Sequence, residues 1–362
     1  MAPDGAIIGT EAAASVFFRQ ETLIRLFISL AAAAALWLGA VFSAQAAILP
    51  SQLAVVVNDD DPNSVQVAEY YRQKRGIPAE NMVHVRIPDK PRKLSAAQFR
   101  QLKDDIDARL GPEIQAVLMV WTAPYAVECN GITAAYTLGL DSGLCAKTCQ
   151  PSKPSAYFNA AGPSMAQPFN ALGMRLAMLL PADSVEDAKA LIGRGAATGF
   201  RVPAAGAYYL ATSDVQRNSR VPFFPRAGVL AQRKLTIHNQ KADALEGARD
   251  IMVYQTGMAK VDKLDTLAFL PGALADHLTS FGGDLYGTTQ MSSLRWLEAG
   301  ATASYGTVSE PCNYWQKFPH PAVLLRHYLN GDSAIEAYWK SVSWPAQGVF
   351  IGEPLAAPYR KP

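Results

Sequence analysis

The stretch Leu53–Ile87, LAVVVNDDDPNSVQVAEYYRQKRGIPAENMVHVRI, carries one complete unit of secondary structure. Leu53–Val57 is a continuous apolar run, the pattern of a strand buried on both faces of a parallel sheet. The acidic turn Asn58–Pro62 closes it. Ser64–Arg75 has helical character and stops at Gly76, with Pro78 behind. Met82–Ile87 alternates like a second strand. Strand, helix, strand is the unit from which α/β sheets are assembled.

Working outward, the same grammar repeats. Ser95 and Gln98 form a capping box, Leu94 staples to Phe99, and Phe99, Leu102, Ile106 and Leu110 recur at helical spacing until Gly111-Pro112. Ala116–Trp121 is another buried strand, and Met174–Leu180, Ala207–Ala211 and Asp250–Tyr254 continue the series. Ser184 and Asp187 open a helix that fades near Gly195. Towards the C-terminus the signals predict a strand over 266–275, a helix over 289–299 and a strand over 301–308. Helices over 321–330 and 334–342 follow, the latter boxed by Ser333 and Glu336, and then a short strand over 348–351. Residues 125–170 break the pattern and read as a long insertion loop containing three of the four cysteines. The expected architecture is a single α/β domain over 47–362, three-layered αβα with a mostly parallel sheet.

Residues 1–46 stand apart. Arg25 precedes the apolar block LFISLAAAAALWLGAVF, which ends in Ala44-Gln-Ala46. This reads as a secretory signal peptide cleaved after Ala46, although Asp4, Glu11 and Glu21 make its leading segment unusually acidic. An uncleaved anchor is the competing reading, but the block is short for a span. The expected location is therefore periplasmic or secreted, with no membrane span after cleavage. Cleavage leaves 31 basic against 28 acidic residues. That balance, without a basic cluster, argues against a nucleic-acid partner.

Export changes how Cys129, Cys145, Cys149 and Cys312 read. An even count in an oxidising compartment predicts disulfides, with three connectivities open. Cys145–Cys149 staples the insertion loop in one reading. Cys129 and Cys312 each follow a predicted strand, which makes them a natural second pair. No spacing matches a zinc signature, a P-loop, a dinucleotide fingerprint, HExxH or GxSxG, so no metal or cofactor is expected.

Ligands of parallel sheets gather beyond the carboxyl ends of the strands. That rule selects Asn58–Asp61, Ala275–Gly283 and Ser309–His320. Asp59 and its neighbours either hold a cation or cap the next helix, with capping the commoner use. In PGALADHLTSFGG (271–283), Asp276 and His277 stand beside Thr279, Ser280, Gly282 and Gly283. Hydroxyls and glycine amides can seat an oxyanion. Adjacent strand residues point to opposite faces, however, which separates Asp276 from His277. The third loop offers Glu310, Cys312 and His320. A Cys312 nucleophile with His277 as base is one reading, and Ser280 is a second candidate nucleophile. Against the first, an exported thiol is more often bonded than catalytic.

PGALADHLTSFGG, WLEAGATASYGTVSEPCNY (296–314), KFPHPAVLL (317–325) and IGEPLAAPY (351–359) resemble an uncharacterised family of exported bacterial proteins. The start of the mature chain fits the same family. The C-terminal order also resembles, more remotely, the caspase-like fold of gingipain-type cysteine peptidases. There, one strand ends in a Gly-His-Gly segment, the next in Ala-Cys, and a GDP-type turn closes the domain. Counting back from Gly352-Glu-Pro354 puts the histidine position near Gly257-Met258 and the cysteine position near Leu278–Ser280, where neither residue stands. The resemblance thus implies a peptidase scaffold without its dyad. A binding role towards a ligand or envelope component is the first expectation, and a hydrolase using His277 with Cys312 or Ser280 the alternative.

Overall fold

The computed structural model of the chain describes residues 47–199 and 202–361. The signal-peptide assignment lies outside the described residues. No described helix is long and apolar enough to cross a membrane.

Strands β1 (Leu53–Asn58), β2 (Met82–Val85), β4 (Ala116–Val120) and β7 (Leu176–Leu180) form the first part of an 11-stranded sheet, with β3 (Lys93–Leu94), β5 (Ala126–Val127) and β6 (Asn130–Gly131) in a small separate one. The second part contains β8 (Ala205–Ala211), β9 (Gly228–Leu230), β10 (Leu235–Lys241), β11 (Ile251–Thr256), β12 (Phe269–His277) and β13 (Ala303–Thr307). The last strand, β14 (Gly348–Gly352), lies between β7 and β13 and runs antiparallel to β13. The full order is β2-β1-β4-β7-β14-β13-β12-β11-β8-β10-β9. Every residue of β1, β4 and β7 is buried, which is why their sequences carry no polar alternation.

Helices cover both faces. Pro62–Arg75 packs with Val185–Ala196, and Pro321–Leu329 packs with Ala334–Ser341. Their ends obey the capping logic of the sequence. Asp61 accepts from Asn63 N, Gly76 takes φ +65°, and Ser184 accepts from Asp187 N. Capping boxes close at Ser95–Gln98 and Ser333–Glu336.

Two expectations need correction, and one strand went unread. The 125–170 region is not a loop throughout. It holds β5, β6 and the helix Ile132–Leu138, six of whose seven residues are buried. A helix enclosed on nearly every side has no polar face, so it shows no 3.6-residue rhythm. The helix expected over 289–299 contracts to Leu294–Glu298, because Met291 N and Ser293 N donate to Ala259 O and Gly282 O instead. Strand β10 gave no clear pattern, since its last residues are exposed near the sheet edge.

Candidate functional site

The carboxyl ends of both parts of the sheet meet at one edge. Tyr125 bonds Asp284, Tyr286 Oη donates to Asp183 Oδ2 at 2.7 Å, and Ser309 Oγ to Cys129 O at 2.7 Å. Four strands nevertheless separate β1 from β12. At ~4.8 Å per step, Asn58–Asp61 lies about 24 Å from the end of β12. Asp59 pairs there with His84 at 2.7 Å and shares no site with Thr279.

At the end of β12 the pleat does what alternation requires. Asp276 faces one side, where Arg220 pairs with Oδ1 and Gln255 Nε2 donates to Oδ2 at 2.8 Å. Arg220 also donates to Thr256 O at 2.7 Å and Pro319 O at 3.2 Å. Burial raises the Asp276 pKa, and the Arg220 charge opposes that rise. His277 faces the other side. Trp296 Nε1 donates to its Nδ1 at 2.9 Å, so the proton sits on Nε2, 3.1 Å from Met291 O. Burial, helped by the Arg220 charge, lowers its pKa to about 3. The ring is neutral with both nitrogens engaged, and no nitrogen is left to deprotonate Ser280 or a thiol.

Beyond β12 the chain is fixed by Gln290, whose Oε1 accepts from Thr279 Oγ1 and from Phe281 N, each at 2.8 Å. Thr307 Oγ1 donates to the carbonyls of Thr279 and Ser280 at 3.2 and 2.9 Å. The expected use of the glycines changes. A Cβ on Gly306 would stand 2.3 Å from Gly282 C, and one on Gly283 would stand 2.6 Å from Gly306 O. The close approach that Gly283 and Gly306 permit is between the loop and β13, whereas a Cβ on Gly282 would meet nothing nearer than 3.5 Å.

The third loop is a tethered strap. Cys312 is bonded to Cys149 and Cys129 to Cys145, each pair with Cα atoms 5.3 Å apart. No described cysteine is free. All four cysteines are paired, but not as Cys129–Cys312 and Cys145–Cys149. Asn130 binds the backbone N–H and carbonyl of Asp141, which caps the helix Ser142–Ala146 and brings Cys145 to Cys129. Lys317 Nζ donates to Thr148 O at 2.7 Å, which brings the next residue, Cys149, to Cys312. Glu310 Oε1 accepts from Cys312 N at 2.7 Å, closing the turn around Cys312. His320 caps the helix Pro321–Leu329 and packs against Phe223 and Trp315, at centroid distances of 4.8 and 5.3 Å.

The strap and the β12 loop enclose a cavity of about 190 Å³ lined by Gln216, Arg217, Thr279, Ser280, Cys312 and Asn313. Arg217 Nε donates to Thr279 Oγ1 at 3.2 Å while its guanidinium pairs with Asp214 at 2.6 Å. The hydroxyl of Ser280 has no hydrogen bond among the described residues. Sequence reasoning missed Gln216, Arg217 and Arg220. The rule that selected the other loops would have found them, because they follow the carboxyl end of β8 with Asp214, Arg217 and Arg220 spaced by three. It also missed what covers the end of β11: a Cβ on Gly257 would stand 2.0 Å from Arg217 O. Backbone therefore fills the space beside Gly257.

No family model and no curated protein matches the chain. Among solved structures it is similar to the Arg-specific cysteine proteinase gingipain R. The identity is 11% and the TM-score 0.43, over 85% of this chain and 78% of that one. Chemically, the edge of β11–β13 offers hydrogen-bond donors and a guanidinium around a small polar cavity. The Cys312 sulfur is held in a disulfide there and both nitrogens of His277 are engaged.

Proposed function

We propose that the chain is an exported binding protein on a caspase- or gingipain-like α/β scaffold, without a cysteine-peptidase dyad. Its ligand seat is the cavity between Arg217, Thr279, Ser280 and Asn313. The observation that carries this reading is the state of the two candidate catalytic groups: the Cys312 sulfur is bonded to Cys149, and both nitrogens of His277 are engaged. The lining suits a small polar ligand, or the polar end of an envelope component, that accepts hydrogen bonds from Arg217 and Ser280. Two disulfides and the Ala44-Gln-Ala46 pattern support export.

The test is a thermal-shift screen of small polar compounds against the wild type and Ser280→Trp, which fills the cavity. Compounds that raise Tm only in the wild type are the expected result. Equal stabilisation of both proteins would sink the seat. Covalent labelling of Ser280 by a broad hydrolase probe would restore the enzyme reading.

A further inference from the structure

The first described residues are not a loose end. Ala47 and Ile48 are 3% and 1% exposed, and Ile48 N donates to Glu336 Oε2 at 3.2 Å. Arg360 holds the Ile48 carbonyl from the other side at 3.3 Å. Glu336 itself is fully buried. Its Oε2 also accepts from the Ser333 backbone and hydroxyl, yet its Oε1, equally buried, has no partner. The neighbouring cations are committed elsewhere. Lys340 Nζ binds Asp332 Oδ2 at 2.8 Å, which also takes His327 Nδ1 at 2.9 Å, and Arg75 pairs with Glu353. A buried carboxylate with one empty oxygen is a costly arrangement in a chain whose other buried acids are paired.

We infer that leader removal between Ala46 and Ala47 supplies the missing partner, the new α-ammonium of Ala47 docking on Glu336 Oε1. The Ala47 nitrogen lies only three bonds, about 4.3 Å of backbone path, from the Ile48 nitrogen that already touches this carboxylate. The cleavage balances simply. A leader-removing peptidase adds water across the Ala46–Ala47 bond, which leaves a carboxylate on Ala46 and a protonated amine on Ala47. Processing then becomes a structural step, because it creates the cation that completes the cluster of Glu336, Asp332, Lys340, His327 and Arg360. In the unprocessed chain Ala47 N is an amide and carries no charge. Burial and the Asp332 charge hold the Glu336 pKa up at about 7, with Lys340 opposing, as expected of an acid still without its cation.

This inference rests on the export reading in one respect, the position of the cut. It is tested on the full chain carrying a sequence-specific protease site immediately before Ala47, before and after cleavage. Cleavage is expected to raise Tm by roughly 5 °C, and Glu336→Gln to abolish the gain. Native cleaved protein should label at the Ala47 amine at least about tenfold more slowly than denatured protein. This readout stands even if Glu336→Gln fails to fold. An unchanged Tm, or equal labelling of native and denatured protein, overturns the docking. N-terminal sequencing of the naturally exported protein decides the cut separately, and a start elsewhere than Ala47 overturns the inference for the natural protein even if the engineered end docks.

Discussion

Asp276 and Glu336 are both fully buried carboxylates raised by desolvation, and they are treated in opposite ways. Asp276 has a donor on each oxygen, from Arg220 and Gln255, and Arg220 is fixed by two further carbonyls. Everything it needs is encoded in the chain. Glu336 has its donors crowded on one oxygen and no cation bonded to it. The difference teaches that burial by itself does not mark a functional carboxylate. What distinguishes the two is whether the folded chain also brings a bonded countercharge to the carboxylate, as it brings Arg220 to Asp276 across 56 positions.

The largest effect is expected where that pairing is removed. Arg220→Met leaves Asp276 buried without a cation and should cost about 3–5 kcal/mol in urea unfolding. A cost below about 1 kcal/mol would erase the contrast between the two acids.

The second effect concerns pH. A carboxyl raised from 4.5 to about 7 binds more protons folded than unfolded. Protein with a blocked Ala47 amine should therefore lose stability as pH rises from 4.5 to about 7, by roughly 3 kcal/mol in all. Protein with a free Ala47 amine should show little of that slope, because the ammonium returns the Glu336 pKa towards normal. Identical slopes in the two forms would break the comparison at Glu336.

His277 has the opposite sign. Its folded pKa of about 3 lies below the ordinary 6.5, so its neutral form supports the fold at neutral pH. That contribution should fall by about 2 kcal/mol between pH 7 and pH 5. His277→Gln should flatten this slope in acid titrations of Tm. An unchanged slope would show that the ring is not the buried neutral group described.

The smallest effect tests the seat of Arg220. Gly257→Ala drives a Cβ into Arg217 O and should lift the Arg217–Arg220 loop, costing roughly 1–2 kcal/mol. If Gly257→Ala and Arg220→Met prove additive in a double-mutant cycle, that loop does not hold Arg220 in place.

Much of the scaffold was legible because its signals are local. The apolar runs at β1, β4 and β7, the Asp61, Ser95, Ser184 and Ser333 caps and the Gly76 stop each depend on a few neighbouring residues. Alternation along β12 was enough to separate Asp276 from His277. The helix Ile132–Leu138 was hidden for the converse reason, since an element buried all round loses its periodicity. The disulfide pairing was illegible because it is set by Asn130–Asp141 and Lys317–Thr148 contacts, which no spacing encodes.

The sequence by itself determined that this is an α/β chain, where most of its helices begin and end, and which strand ends carry polar chemistry. Periodicity and capping act over one or two turns, and a reader of residues sees them directly. Only the tertiary structure decided that Asp59 stands far from Thr279, that His277 spends both nitrogens on Trp296 and Met291, and that Glu336, legible as a cap, also lies against Ile48. Those outcomes depend on the order of strands in the sheet and on which distant side chains become neighbours after burial, and residues 288 positions apart, such as Ile48 and Glu336, leave no local trace of their meeting.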